Sequence, residues 1–166
     1  GFSTKKTMSL AQKLYEGIEI KGRGTIGVVT YIRTDSMRVS DTALADAANY
    51  IKERYGSTYL PAKPNIFKNR SASQDAHEAI RPSYVNLTPE EAKGSMGRDI
   101  FRLYKLIWDR FIASQMTAAV YDTIAGDIEA AGYLFKAKGQ KLKFPGFIAV
   151  YTEGRDDAGD DNQEQL

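Results

Sequence analysis

The segment between residues 98 and 115 carries the longest helical pattern in the sequence and constrains the fold most. Its apolar side chains recur every three or four residues, which places them along one wide face of a helix. They are Ile100, Leu103, Tyr104, Ile107, Trp108 and Phe111. Its aromatic residues could also serve as a platform for stacked bases, but at helical spacing packing is the commoner use. We therefore expect a core helix that neighbouring elements cover.

Residues that favour helix ends predict three more helices before residue 98. Hydroxyl side chains cap the free N–H groups of a first turn, and a glycine after the last turn ends a helix. The first helix begins at Ser3 or Thr4 and stops near Gly17, the second runs from Ser40 to Gly56, and a short third opens with the capping box at Thr88. The apolar positions assigned to the first helix are Met8, Ala11, Leu14, Tyr15 and Ile18.

The pattern changes from helix to strand at two places. The β-branched run at residues 25–30 predicts a strand, and the glycine-rich run at residues 22–27 leads into it as a turn. We reject a dinucleotide-binding fingerprint there, because that motif follows a strand and opens a helix. After residue 117, alternating side chains predict one strand to residue 130 and a second from residue 133, separated by a turn near Gly132. Gly139 interrupts the second strand, and further extended chain is expected up to residue 151.

These elements predict an α+β fold in which a mainly helical domain precedes a small antiparallel β segment. We assign residues 1–116 to the helical domain, residues 117–153 to the β segment and residues 154–166 to a flexible acidic tail. Two or three strands with an incomplete apolar face are marginally stable alone. The β segment is therefore expected to belong to a neighbouring domain.

The composition excludes several kinds of site and partner. The 166 residues include no cysteine and one histidine, which excludes disulfides, thiolate metal sites and a histidine cage and suits a reducing cytoplasm. No apolar run reaches the roughly 18 residues of a membrane span, and no secretory signal is expected. The net charge of +2 includes the acidic residues after position 152. The remainder is therefore more basic, which suits a polyanionic partner.

A cluster of reactive groups follows the predicted strand at residues 31–36. The run Tyr31-Ile32-Arg33-Thr34-Asp35-Ser36 places a phenol, a guanidinium, a carboxylate and two hydroxyls at a strand exit. A tyrosine hydroxyl can attack phosphorus and form a covalent ester, and an arginine can hold phosphate with its fork of N–H donors. Taken alone, the run also fits a tyrosine packed on a sheet beside a surface ion pair.

Five segments, in order, resemble the type IA DNA topoisomerases, and among them the bacterial topoisomerase I branch. They are residues 1–17 (GFSTKKTM and AQKLYEG), 30–36 (TYIRTDS), 75–82 (DAHEAIRP), 102–116 (RLYKLIW and ASQM) and 142–147 (LKFPGF). Ile32 stands where topoisomerase III relatives usually have proline, and residues 76–82 lack the paired histidines of that branch. The same segments favour reverse gyrase less. In the family, the tyrosine-bearing domain is a mostly helical, winged-helix-like (CAP-like) module.

The resemblance implies covalent DNA cleavage. Tyr31 corresponds to the nucleophile that cuts one DNA strand through a 5′-phosphotyrosine, and Arg33 to the residue that holds the scissile phosphate. Because the ester conserves the bond energy, religation would need no ATP. The resemblance also implies DNA contacts from Thr34, Asp35, Ser36, His77, Glu78 and Arg81. For His77, a structural role that bridges its loop to the tyrosine loop stays open.

The resemblance also implies a cofactor and partners. The family's acidic metal-binding domain, called Toprim, lies upstream of the tyrosine domain, and residues 1–153 contain no D-x-D run. We therefore expect Mg²⁺ to bind in the intact enzyme outside this sequence, no metal site in this chain, and no DNA relaxation by the chain alone. Expected partners are single-stranded DNA, negatively supercoiled duplex and the remaining domains of one polypeptide. We expect a monomer in the bacterial cytoplasm, at the nucleoid. The alternative is a single-stranded DNA-binding module without catalysis.

Overall fold

A computed structural model describes residues 1–67 and 77–152 of the chain. Its elements are α1 (Thr4–Glu16), β1 (Ile18–Ile20), β2 (Gly24–Ile26), α2 (Asp41–Tyr55), α3 (Pro89–Ala92), α4 (Arg98–Ser114), β3 (Val120–Ala130) and β4 (Tyr133–Phe144). Short 3-10 turns lie at Ser57–Tyr59, Lys93–Ser95 and Gly146–Ala149. These helices and two antiparallel two-stranded sheets confirm the predicted α+β class.

Helix α4 forms the centre of the core, as its apolar stripe predicted. Leu103, Tyr104, Trp108 and Ile112 are buried along it. The two polar groups on this face bind backbone carbonyls in the chain just before α3. The Tyr104 hydroxyl donates to the carbonyl of Leu87 at 2.5 Å, and the Trp108 indole N–H donates to that of Val85 at 3.1 Å. Burial of that hydroxyl raises the pKa of Tyr104. The core is therefore sealed without an unsatisfied ring donor on α4.

The three predicted helix starts are confirmed by their caps. The Ser3 hydroxyl accepts from the N–H of Lys6 at 3.3 Å, and the Ser40 hydroxyl accepts from that of Ala43 at 3.4 Å. Thr88 caps α3 in the same way, with Glu91 as the donor. The two long helices end at glycines, Gly17 and Gly56. Local side-chain chemistry is thus enough to define these ends.

The chain between α1 and the reactive cluster differs from the prediction. Ile18, assigned to the first helix, begins β1 and pairs with Ile26 of β2. The predicted strand at residues 25–30 stops at Ile26, because the chain next passes against the end of α1: a Cβ on Gly27 would lie 2.5 Å from the carbonyl oxygen of Tyr15. After it, Val29 makes an isolated antiparallel bridge to Pro82. Of the glycine-rich run at residues 22–27, only the start lies in the β1–β2 turn as predicted, because Gly24–Ile26 form β2.

The β segment is a long hairpin whose side chains are mostly exposed. Its two strands pair from Val120 with Phe144 at the base to Ala130 with Tyr133 at the tip, around a turn at residues 131–132. Strand β4 continues through Gly139, which the sequence marked as an interruption. The extended chain expected after residue 146 is instead a 3-10 turn at Gly146–Ala149. A Cβ on Gly146 would lie 2.5 Å from two carbonyl oxygens at the hairpin base, so the chain packs there and bends.

The division at residues 116 and 117 and the neighbouring-domain assignment of the hairpin stay predictions. The acidic tail at residues 154–166 lies outside the described residues. Within the part of the chain that the structure describes, none of the helices is long and apolar enough to cross a membrane.

Candidate active site

Two loops, distant in sequence, lie side by side at the end of α1. We call residues 30–40 the tyrosine loop and residues 77–83 the histidine loop. Backbone hydrogen bonds join them at one end, from Thr30 N–H to the Arg81 carbonyl at 2.9 Å, next to the bridge between Val29 and Pro82. At the other end the N–H of Ala79 donates to the carbonyl of Arg38 at 2.8 Å. Backbone contacts near both ends of the tyrosine loop therefore join the two loops, although neither is a regular strand.

The Thr30 side chain adds a further link between the loops. Its hydroxyl donates to the carbonyl of Ala79 at 2.8 Å and accepts from the N–H of Arg81 at 2.9 Å. This part-buried hydroxyl therefore both donates and accepts across the two loops. The sequence places Thr30 in the predicted strand and in the segment at residues 30–36, but no sequence signal gives its hydroxyl this linking role.

Tyr31 presents an exposed ring between two other rings. Its side chain is 45% exposed. The ring centroids lie 5.3 Å from Tyr15 of α1 and 5.7 Å from His77, both in tilted geometry. Tyr15 had been assigned to the apolar face of the first helix, but it is itself 38% exposed and supports Tyr31 instead. The Tyr31 ring thus contacts a ring on each side and remains partly exposed.

Asp35 lies between Arg33 and His77. One of its carboxylate oxygens lies 3.8 Å from Arg33 Nη1 and 3.6 Å from His77 Nδ1. Arg33 is mostly exposed and His77 is about three-quarters buried. These are loose contacts, longer than a strong hydrogen bond. Through these contacts Asp35 holds the Arg33 guanidinium and the His77 imidazole on the loops that carry Tyr31. The Arg33 guanidinium keeps other N–H donors available.

Glu78 and Arg81 form the tightest ion pair of the histidine loop. Arg81 Nε and Nη2 lie 2.8 and 2.7 Å from one carboxylate oxygen of Glu78. The Arg81 side chain is only 12% exposed. Glu78 also faces Arg38 of the tyrosine loop at 3.9 Å. This pair is more buried than Tyr31 and Arg33.

The remaining candidates differ in exposure. Thr34 is exposed beside Arg33. Ser36 is buried, and its hydroxyl accepts from the N–H of Arg38 at 3.2 Å, so it supports the turn of the loop. Asp75, part of the motif around His77, lies outside the described residues. The fold thus brings all eight predicted site residues onto two paired loops, with some facing solvent and others facing protein.

The described residues offer no cluster suited to a metal ion. Within residues 1–67 and 77–152, no three His, Asp or Glu side chains converge closely enough to hold one. Mg²⁺ prefers near-octahedral oxygen coordination. The carboxylate of Asp35 already faces Arg33 and His77. The residues of this site therefore do not fit a magnesium centre of their own.

Comparison with known proteins identifies the class. A family model described as DNA topoisomerase matches residues 1–166, the whole chain. The chain belongs to this family, in the bacterial type IA group that its sequence resembled.

A solved structure adds a particular relative. Full-length topoisomerase I from Thermotoga maritima is 40% identical to this chain, with a TM-score of 0.79. The match covers 100% of this chain and 26% of that one. This chain therefore spans about a quarter of the relative's length.

Proposed function

We propose that this chain supplies the nucleophile of a type IA DNA topoisomerase. The Tyr31 hydroxyl attacks a phosphorus atom of one DNA strand, and the bond from phosphorus to the 3′ oxygen breaks. The phosphate remains on the 5′ end as a tyrosine ester, the phenol loses its proton, and the departing 3′ oxygen gains one. The reverse attack by the 3′ hydroxyl restores the strand. No ATP is needed, because the ester keeps the energy of the broken bond.

One observation carries this proposal: Tyr31 is exposed beside an arginine whose donors are largely free. Arg33 touches Asp35 loosely at 3.8 Å, and its side chain is 58% exposed. A guanidinium in that state can turn toward phosphate oxygens and form a bidentate contact. It would neutralise the charge that develops on the non-bridging oxygens during attack. This places the nucleophile and the phosphate clamp on one short loop.

His77 is proposed to assist from the second loop. Its Nδ1 lies 3.6 Å from Asp35, and that carboxylate orients the imidazole. The other ring nitrogen is proposed to donate to a DNA phosphate when the ring carries both protons. Thr34 is proposed to add a polar contact to DNA from its exposed position beside Arg33. Ser36 and Asp35 are proposed to act mainly by holding the loop.

The wider activity rests on the rest of the polypeptide. We propose that the intact enzyme opens single strands in negatively supercoiled DNA, passes a strand and religates, as a monomer in the bacterial cytoplasm at the nucleoid. Mg²⁺ is proposed to bind outside this chain, and no step above depends on it. The 166-residue chain by itself is expected not to relax supercoiled DNA. Mg²⁺-dependent relaxation by the isolated chain would contradict that expectation.

A covalent trap tests the assignment of Tyr31. The intact enzyme is mixed with a single-stranded oligonucleotide labelled at its 3′ end, because a 5′-phosphotyrosine retains the 3′ portion of the strand. Denaturation and gel electrophoresis then separate the labelled adduct. We expect Tyr31→Phe to bind the oligonucleotide like the parent and to form no adduct. Tyr121→Phe is the matched control, since that tyrosine is 41% exposed on the hairpin.

The same experiment distinguishes the alternative function. A single-stranded DNA-binding module without catalysis would bind the oligonucleotide through phosphate contacts, with strong salt dependence, and would give no adduct in any variant. Adduct formation that persists in Tyr31→Phe would show a different nucleophile. Either result would overturn the assignment of Tyr31.

A further inference from the structure

Arg81 is an arginine whose donors are directed at protein rather than at solvent. Its Nη1 donates to the carbonyl of Pro82 at 2.9 Å, and its Nη2 reaches the Ser40 hydroxyl at 3.4 Å. Together with the two contacts to Glu78, these occupy most of the N–H groups that a guanidinium offers. A side chain engaged in this way has no free fork for a phosphate.

Glu78 is placed between one arginine from each loop. One carboxylate oxygen binds Arg81, and the other faces Arg38 of the tyrosine loop at 3.9 Å. Ser40, the other side-chain partner of Arg81, ends the tyrosine loop and caps α2. The carboxylate and the guanidinium therefore connect the histidine loop to the tyrosine loop at its far end.

The backbone of the same residues makes the connection cooperative. Arg81 binds Thr30 through both its N–H and its carbonyl group. Arg38 accepts the N–H of Ala79 through its own carbonyl. Polar networks that are satisfied at every member stiffen the segments they join. Losing one partner would leave a half-buried charge without its counterion, which is the costly case.

We propose that Glu78 and Arg81 form a positioning pair that sets the distance between Tyr31 and His77 without contacting DNA. This deepens the proposed function and rests on Tyr31 being the nucleophile. It revises the expectation that both residues help to hold DNA directly. Displacing a reacting group by about 1 Å can cost about a hundredfold in rate. The pair therefore acts on the cleavage step and not on binding.

The test measures rate and binding separately in the intact enzyme. Cleavage of the 3′-labelled single-stranded oligonucleotide is timed at saturating DNA, and the dissociation constant is measured across several salt concentrations. We expect Arg81→Ala and Glu78→Gln each to slow cleavage by about tenfold to a hundredfold. Binding should stay within about twofold and the salt slope should not change. The double variant should be no slower than the slower single variant, since both act through one contact.

Matched variants test the competing hypothesis that Arg81 contacts a DNA phosphate. If Arg81 bound phosphate, Arg81→Ala would weaken binding and lower the salt slope by about one. Glu78→Gln would then leave binding equal or stronger, because a repulsive charge is removed. Arg33→Ala provides the reference for a phosphate contact. Glu91→Gln is the control for loss of a carboxylate–arginine pair outside the two loops. The Glu91 carboxylate lies 3.5 Å from Arg23 Nη2.

The outcomes separate the two proposals. If Tyr31→Phe forms no adduct but Arg81→Ala and Glu78→Gln cleave at the parental rate, only the positioning pair is refuted. A lower salt slope in Arg81→Ala also refutes it. Adduct formation by Tyr31→Phe refutes the proposed function and this inference with it. If Arg81→Ala fails to fold, two milder variants replace it: the isosteric Glu78→Gln, and Thr30→Val, which removes the hydroxyl link to Arg81. The same rate and binding criteria then test the positioning pair.

Discussion

The rings of Tyr31 and His77 lie 5.7 Å apart between centroids, with their planes inclined by 39°. The two residues come from separate loops, so this distance exists only because the loops are paired. Asp35 adds a second connection, since its carboxylate faces His77 from the loop of Tyr31. The relation of the proposed nucleophile to its neighbour therefore depends on contacts between the two loops.

Asp35→Asn should lower the rate of strand cleavage in the intact enzyme by about tenfold or more. The substitution keeps the shape of the side chain but removes the charge that faces Arg33 and His77. Both side chains would then sample more orientations. The measurement is adduct formation with the 3′-labelled oligonucleotide at saturating DNA. Asp122→Asn is the control, because Asp122 pairs with Lys143 at 3.4 Å on the hairpin. Equal rates for the two variants would contradict the role given to Asp35.

Gly27→Ala should destabilise the chain by about 1–3 kcal/mol. The new Cβ would lie 2.5 Å from the carbonyl oxygen of Tyr15, and backbone on both sides would have to move. Since Tyr15 supports the ring of Tyr31, cleavage should also slow. Thermal unfolding of the 166-residue chain measures the first effect. Gly139→Ala is the control, since its Cβ would meet nothing within 4 Å. A melting temperature as high as that of the control would show that the close approach is absent.

Tyr104→Phe should cost about 1 kcal/mol of unfolding free energy. The hydroxyl is buried and donates to the carbonyl of Leu87 at 2.5 Å, so its removal leaves that carbonyl without this donor. Urea unfolding at neutral pH followed by tryptophan fluorescence checks this, because Trp108 lies on the same helix. Tyr133→Phe, at the exposed tip of the hairpin, should be neutral. An unchanged midpoint for Tyr104→Phe would mean that the hydrogen bond contributes nothing net.

Asp109→Asn should stabilise the chain more at neutral than at acid pH. Burial raises the pKa of the Asp109 carboxyl above its ordinary value of 3.8, and the nearby charge of Lys105 only partly opposes this. A raised folded-state pKa means that the folded protein binds the proton more tightly than the unfolded one. The contribution of this group to stability is then present below pH 3.8 and is lost as pH rises through the folded-state pKa.

The check for Asp109 is urea unfolding at about pH 4 and about pH 7. The stability difference between Asp109→Asn and the parent should grow in favour of the variant toward the higher pH. Asp122→Asn, on the exposed hairpin, should show no such trend. A difference that shrinks as pH rises would mean that the ion pair with Lys105 outweighs burial.

Helix ends and the core helix were open to prediction because they depend on neighbours in the chain. Ser3, Ser40 and Thr88 each cap a helix with a hydroxyl that reaches an N–H three residues further on. Short-range geometry of this kind is written in the spacing of residues. The end of the predicted strand at Ile26 could not be predicted in this way, because it results from the close approach of Gly27 to α1. That approach depends on the tertiary structure and not on the spacing of neighbouring residues.

The sequence by itself determined the family and the central helix α4, and it made Tyr31 and Arg33 candidate site residues, because each is a pattern of residue types at short spacing. Tertiary structure alone decided which candidates face solvent and which face protein. It placed Tyr15 and His77 beside Tyr31. It also directed the donors of Arg81 inward to Glu78, Pro82 and Ser40. The physical reason is that a guanidinium has the same chemistry in both settings, and only the acceptors that the fold brings to it determine whether it binds phosphate or holds a loop.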